Sequence, residues 1–239
     1  MGLVQKVRIC IMLGLTTLLL ATSGLSAASA EPSPAQGERP FIMPFAGPPG
    51  PDTWFFLQAY GNTTFAYRFR NNVYYGGQGL HFGLDLAAPC GTPVRAIGDG
   101  VVYSVDSWHG AGPHNLLINH PNGYASFYGH LLVRSSMRAG QKVVAGDIVA
   151  LSGDPDLTCI SRPHIHLEIR DSETHAIAYN PLILIEADWE RLALIGAEPI
   201  HFEMNMEDPR RWTGLFEQPE TRFGHPLVNN YASPWPFDW

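Results

Sequence analysis

The stretch Arg162-Pro-His-Ile-His-Leu-Glu-Ile-Arg170 places two imidazoles one residue apart in a run that alternates polar and apolar side chains. In an extended strand successive side chains face opposite ways. His164, His166, Glu168 and Arg170 then share one face, and Ile165, Leu167 and Ile169 share the other. The apolar set belongs against a core. The two histidines, about 7 Å apart along the strand, are too widely spaced to be equivalent ligands of one ion but close enough to serve one site. A solvated or hydrogen-bonded pair is the plain alternative for these two residues alone.

Two further segments bear on that choice. "GLHFGLDLAAP" contains His81-x-x-x-Asp85, a spacing that a helix would bring to one face. The glycines at 76, 77, 79 and 83, and the alternation of "LHFGLDL", argue against a helix. Fully extended, the two Cα atoms would lie about 13 Å apart, too far for one zinc with bonds of about 2 Å. A bend at Gly83, or His81 in the loop before the strand, closes the gap. His, Asp and a further His make a three-ligand zinc set with one position open for water. His130, in Tyr128-Gly-His130, adds an imidazole at the end of another run. Imidazoles titrate near neutrality, which suits them to carry protons as well as to bind metals.

The elements that must position these groups are short and β-rich. "VRAIGDGVVYSV", "HNLLINH", "YASFYGHL", "KVVAGDIVALSG" and "HIHLEIR" are separated by Gly, Pro and Asn turns, and Pro121-Asn122-Gly123 reads as a hairpin turn. This pattern predicts an all-β domain, an antiparallel sandwich or barrel-like core. Ahead of it, residues 31–71 are rich in Pro and Gly and are expected to run irregularly, laid across the domain by Phe41, Phe45 and Trp54. After Asn180-Pro181 the spacing of Ile185, Trp189, Leu192 and Ile195 predicts one helix. The aromatic tail beyond it is too rich in Trp and Phe for ordinary disorder, and is expected to pack on the domain or form a cleft wall.

Residues 1–30 have the layout of a secretory signal peptide: Lys6 and Arg8, a short apolar run, then Ala28-Ser29-Ala30. The expected organisation is 1–30 signal, 31–71 N-terminal segment, 72–182 catalytic domain and 183–239 C-terminal extension. The chain carries a formal charge of -7 at pH 7. Loss of Lys6 and Arg8 takes 15 basic side chains to 13 against 22 acidic ones, a balance of -9. With no basic cluster, a nucleic-acid partner is not expected. Neither is stable membrane insertion once the signal is removed. Oligomeric state is not legible.

H-x-x-x-D, then "GTPVRAIGDGVV", "NHPNGYASFYGHL", "MRAGQKVVAGDIVALSG" and P-H-x-H-L-E, in that order, resemble the lysostaphin-type zinc endopeptidases, the LytM-like family of β-lytic and glycyl-glycine endopeptidases. The resemblance covers roughly residues 72–182. It implies a mostly antiparallel β core with an active-site groove, one Zn(2+), and cleavage of peptidoglycan stem or cross-bridge peptides outside the cytoplasm. By position it implies His81, Asp85 and His166 as zinc ligands, and His130 and His164 as the catalytic histidines beside the metal. Glu168 is either a supporting partner of His166 or a surface carboxylate. The rival class is a non-catalytic relative that regulates another wall hydrolase; the presence of all five motif residues favours an enzyme.

The loop before the last motif, "GDPDLTCISRP", is longer and more acidic than the family's usual Gly/Ser/Thr loop, and carries Arg162 directly before Pro163. Cys90 and Cys159, the two cysteines left once Cys10 departs with the signal, flank the motifs and are expected to be bonded to each other. His120 reads as structural, while His109 and His114 lie in a Gly/Pro loop that could rim the groove.

Overall fold

The computed structural model of the chain describes residues 39–75, 79–160, 162–196, 203–205, 208 and 210–223. The signal segment, the start of the Pro-rich segment and the last sixteen residues lie outside these bounds. Among the described residues no helix is long and apolar enough to cross a membrane.

The fold is all-β. Its first strands are β1 (Phe55–Gln58), β2 (Leu84–Ala87), β3 (Pro93–Arg95), β4 (Gly100–Val105), β5 (His114–Asn119) and β6 (Tyr124–Leu131). They are followed by β7 (Lys142–Val143), β8 (Ile148–Leu151), β9 (His164–Asp171) and β10 (Ile177–Tyr179). Last come β11 (Glu203–Met204), β12 (Trp212–Thr213) and β13 (Thr221–Arg222). Nine of them build one sheet in the order β1-β2-β9-β6-β5-β4-β7, with β10 on the end of β9 and β13 on β10. β3 and β8 form a separate ribbon, as do β11 and β12. The strand pairings within these sheets are antiparallel.

β9 sits at the centre because its two faces have different work. Ile165, Leu167 and Ile169 are fully buried in a core shared with Leu116, Ile118 and Tyr128 of the sheet and Val94 of the ribbon. Burying each such side chain stabilises the fold by about 1.5–3 kcal/mol. The β5–β6 hairpin turns where "PNG" predicts, at Gly123 with φ +87, a left-handed conformation that glycine takes without strain.

The Pro-rich segment is held by its aromatic residues: Phe41, Phe45 and Trp54 are buried, and Phe45 stacks on Trp54 at 6.1 Å. Two short elements inside it were not anticipated. β1 pairs with β2, and α1 (Thr64–Arg68) starts at Thr63, whose hydroxyl accepts from the Ala66 N–H. The expected helix after Asn180 is α2 (Trp189–Ile195), with Asp188 as its cap. It is shorter than predicted, because Ile185 instead forms a parallel bridge with Phe41. The described part of the C-terminal extension packs on the sheet. The Tyr60 hydroxyl, 2.9 Å from the Ala178 carbonyl, 3.0 Å from the Pro219 carbonyl and 2.9 Å from Thr221 Oγ1, ties β10 and β13 together. His120 is structural, bonded to the Asp99 carbonyl and Ser126 with its ring against Phe41.

Candidate active site

Antiparallel pairing of β2 with β9 sets Asp85 directly opposite His166, and Ala87 opposite His164. On the other side of β9, Gly129 of β6 lies opposite His166, so His130 falls just beyond it. His81 precedes β2 and is carried in from the side: it exchanges both main-chain hydrogen bonds with Gly61. Both alternatives for closing the His81–Asp85 gap are in use, since the chain also bends at Gly83. A Cβ at Gly83 would meet the Leu167 carbonyl at 2.6 Å and His166 Cε1 at 2.7 Å, so only glycine admits this approach.

Three donor atoms converge. His81 Nε2 lies 3.1 Å from Asp85 Oδ1 and 3.0 Å from His166 Nδ1, and His166 Nδ1 lies 2.9 Å from Asp85 Oδ1. All three residues are buried. Their outer atoms fix the tautomers. His81 Nδ1 donates to the Ala59 carbonyl at 2.6 Å, and His166 Nε2 donates to Glu168 Oε1 at 2.9 Å. With those protons placed, His81 Nε2 and His166 Nδ1 both turn lone pairs toward a carboxylate oxygen. A buried cluster of three lone pairs needs a cation between them. Two imidazole nitrogens and a carboxylate oxygen are a donor set suited to a divalent metal ion.

The charges of the site favour a positive occupant, a proton or a metal ion. Burial alone would raise the Asp85 carboxyl, but the neighbouring His81, His164 and His166 hold it well below the usual range. Burial alone would lower His166; hydrogen bonds to Asp85 and Glu168 outweigh it and push the imidazole up to about 9. Glu168 is no surface carboxylate. It is buried between His166 and Arg170, whose Nε donates to Oε2 at 2.6 Å. Burial would raise it, yet Arg170 and His166 together lower it to about 2. The Arg170 guanidinium lies 4.5 Å from the rings of both Phe127 and Phe223 and donates to the His109 carbonyl.

His130 and His164 stand beside the donor cluster. Their rings meet edge to face at 4.9 Å, and His130 lies 6.0 Å from the His166 ring. His130 Nδ1 donates to the Gly112 carbonyl, and His164 Nδ1 to the Arg162 carbonyl at 2.6 Å. With Nδ1 so placed, the neutral form of either ring keeps a lone pair on Nε2. Burial, then the imidazoles of His166 and His164, lower the His130 pKa to about 4, so it stands neutral near pH 7. His164 Nε2 is 3.9 Å from Asp85 Oδ2.

These residues open into a groove of about 640 Å³, with Phe65, Tyr74, Trp108 and Arg162 among its walls. Cys90 and Cys159 are joined, Cα to Cα 5.9 Å, linking the end of β2 to the loop before β9. All six histidine and carboxylate candidates reach the groove.

Sequence reasoning missed several contributors. The Ala59 carbonyl has no side-chain signal at all. Arg170 did have one, since it shares the polar face of β9 with Glu168. Tyr74, edge-on to His81 at 5.9 Å, had none. The cleft wall expected of the C-terminal extension is supplied in part by Leu215, Gln218 and Phe223. His109 does rim the groove, whereas His114 bonds Asp106. His201 and His225 lie outside the described residues.

Comparison with known proteins reports on the same segment. Residues 79–180 match the family described as Peptidase family M23. "DD-carboxypeptidase/endopeptidase Mpg" of Neisseria meningitidis is 38% identical over 91 residues, which is 38% of this chain and 20% of that protein. "Peptidoglycan DD-endopeptidase ShyA" of Vibrio cholerae is 39% identical over 89 residues, 37% of this chain and 20% of that protein. The chain thus spans about 20% of the length of these curated relatives. Among solved structures, the catalytic domain of the prophage-encoded M23 protein EnpA from Enterococcus faecalis is 29% identical, covering 59% of this chain and 95% of that one, with a TM-score of 0.44. The segment 79–180 of this chain, which matches the Peptidase family M23 model, contains the His81, Asp85 and His166 cluster.

Proposed function

We propose that the protein is an exported metalloendopeptidase that hydrolyses peptide bonds in peptidoglycan, with a single zinc held by His81 Nε2, Asp85 Oδ1 and His166 Nδ1. The observation that carries this reading is the buried convergence of three lone pairs about 3 Å from one another, beside two imidazoles with free Nε2 atoms, in an open groove. The M23 match and relatives named as peptidoglycan endopeptidases support the substrate class.

When bound, zinc supplies Lewis-acid polarisation of the scissile carbonyl and acidifies water toward neutrality. The chain's own residues do the rest. Ala59 and Glu168 hold the rings of His81 and His166 in the tautomer that points lone pairs inward. His130 and His164 present Nε2 as proton acceptors for the attacking water. Once protonated, either ring becomes a donor at Nε2 and can pass its proton to the leaving amine, closing the cycle.

The test is metal analysis and a wall-digestion assay on the purified protein, with and without chelator, beside His81→Ala. The expected result is one zinc per chain and release of peptides that chelation and His81→Ala both abolish. Digestion that persists in both controls would overturn the proposal.

A further inference from the structure

Among the described residues that line the groove, Arg162 is a guanidinium with no carboxylate partner. Among the described residues lining the groove, only Asp85 and Glu168 carry carboxylates, and both are committed: Asp85 to His81 and His166, Glu168 to His166 and Arg170. Arg162 is exposed, and its guanidinium has no carboxylate partner among the described residues. Its described neighbour is the Phe65 ring, 5.9 Å from Cζ, an arrangement that supports a cation while leaving its N–H fork free.

The main chain holds it there at a cost. Arg162 has φ +56, a left-handed conformation, although the residue before a proline favours extended backbone. Its carbonyl accepts from His164 Nδ1, so placing this residue and orienting that imidazole are one act. The segment leading to it is braced. Asp154 accepts hydrogen bonds from Asp156, Thr158 and Cys159, and Cys159 is bonded to Cys90. A planar fork of donors on a braced loop, two residues from a catalytic histidine, suits a carboxylate through paired hydrogen bonds.

We propose that Arg162 is the carboxylate-binding residue of the groove, and that the substrate is a stem-type peptide with a free carboxylate beside the scissile bond. This deepens the peptidase reading and rests on it. An uncharged polyglycine bridge would leave Arg162 unanswered and is disfavoured as substrate.

The experiment compares three synthetic peptides: one with the free carboxylate, its carboxamide twin and an oligoglycine. Binding is measured by calorimetry on metal-free protein, so that no cleavage intervenes, and cleavage is measured on the zinc-loaded protein. Wild type should favour the carboxylate peptide over the carboxamide by about tenfold, a value expected for one charge-assisted contact at a partly exposed site. In Arg162→Gln that ratio should fall to about one, and Arg162→Lys should keep part of it. Thermal melting shows that both variants are folded, as the exposed side chain leads us to expect. A ratio unchanged in Arg162→Gln, or a wild type that prefers oligoglycine, overturns the inference. If wild type cuts nothing yet binds with the Arg162-dependent ratio, the peptidase reading fails, and with it the substrate assignment, while carboxylate binding by Arg162 stands. Cutting without the ratio sinks this one alone.

Discussion

Asp85 faces His166 across the β2–β9 pair, with Oδ1 2.9 Å from Nδ1. Opposed positions on antiparallel strands bring Cβ atoms within about 5 Å, so strand register alone delivers two of the three donors. His81 completes the set from the bend ahead of β2.

The bond from Glu168 fixes which nitrogen of His166 faces inward. Glu168→Gln removes the charge and can present its amide N–H to the imidazole, favouring the opposite tautomer. Zinc affinity should fall about 10–100-fold with the fold intact. Competition titration against a chelator of known affinity measures it; an unchanged affinity would show that Glu168 does not set the tautomer.

Without metal, His166 holds its proton up to about pH 9, since its pKa is raised. Zinc must displace that proton, so apparent affinity should rise with pH, by about tenfold per unit across pH 6–8 for one proton released. Calorimetry in buffers of differing ionisation enthalpy counts the released protons. A flat profile contradicts the assignment.

Gly83 leaves no room for a side chain against the Leu167 carbonyl and His166. Gly83→Ala should destabilise the protein by about 1–3 kcal/mol and displace His166 from Asp85. Lost metal binding beside a lowered Tm is the expected pair of results. Normal binding at normal Tm would mean that β2 relaxes freely.

Asp171 accepts from the Thr174, His175 and Ile177 N–H groups and from the Thr174 hydroxyl. Burial would raise its pKa, but these bonds hold it well below the usual carboxylate range. The folded value is depressed, so its stabilisation is present above the unfolded pKa of about 4 and is lost as pH falls below it. Asp171→Asn should lower Tm at pH 7 and flatten the acid decline. Parallel Tm-versus-pH curves for the two proteins would exclude this role.

Much of the site was legible because it rides on one strand's alternation. The pattern of residues 164–170 fixes which side chains share a face, and the turn at Pro121-Asn122-Gly123 places the hairpin that ends at His130. What stayed hidden is long-range or made of main chain. The carbonyl of Ala59 orients His81, yet any residue has a carbonyl. β1 is four residues long beside a Pro-rich stretch, too short for its alternation to stand out. Arg170 finds Phe223 from 53 positions away, a contact that only packing reveals.

The two rings around Arg170 bear on where this catalytic unit can be cut. Residues 79–180 contain Phe127 but not Phe223, and contain His81 but not Ala59 or Gly61. A fragment trimmed to that span would leave one face of the guanidinium bare and His81 Nδ1 without its carbonyl. It would also strip β1 from β2 and expose a strand edge to pairing with other chains. The smallest unit that keeps these contacts is therefore larger than the segment that matches the family, and it takes in at least β1, Ala59 and Phe223.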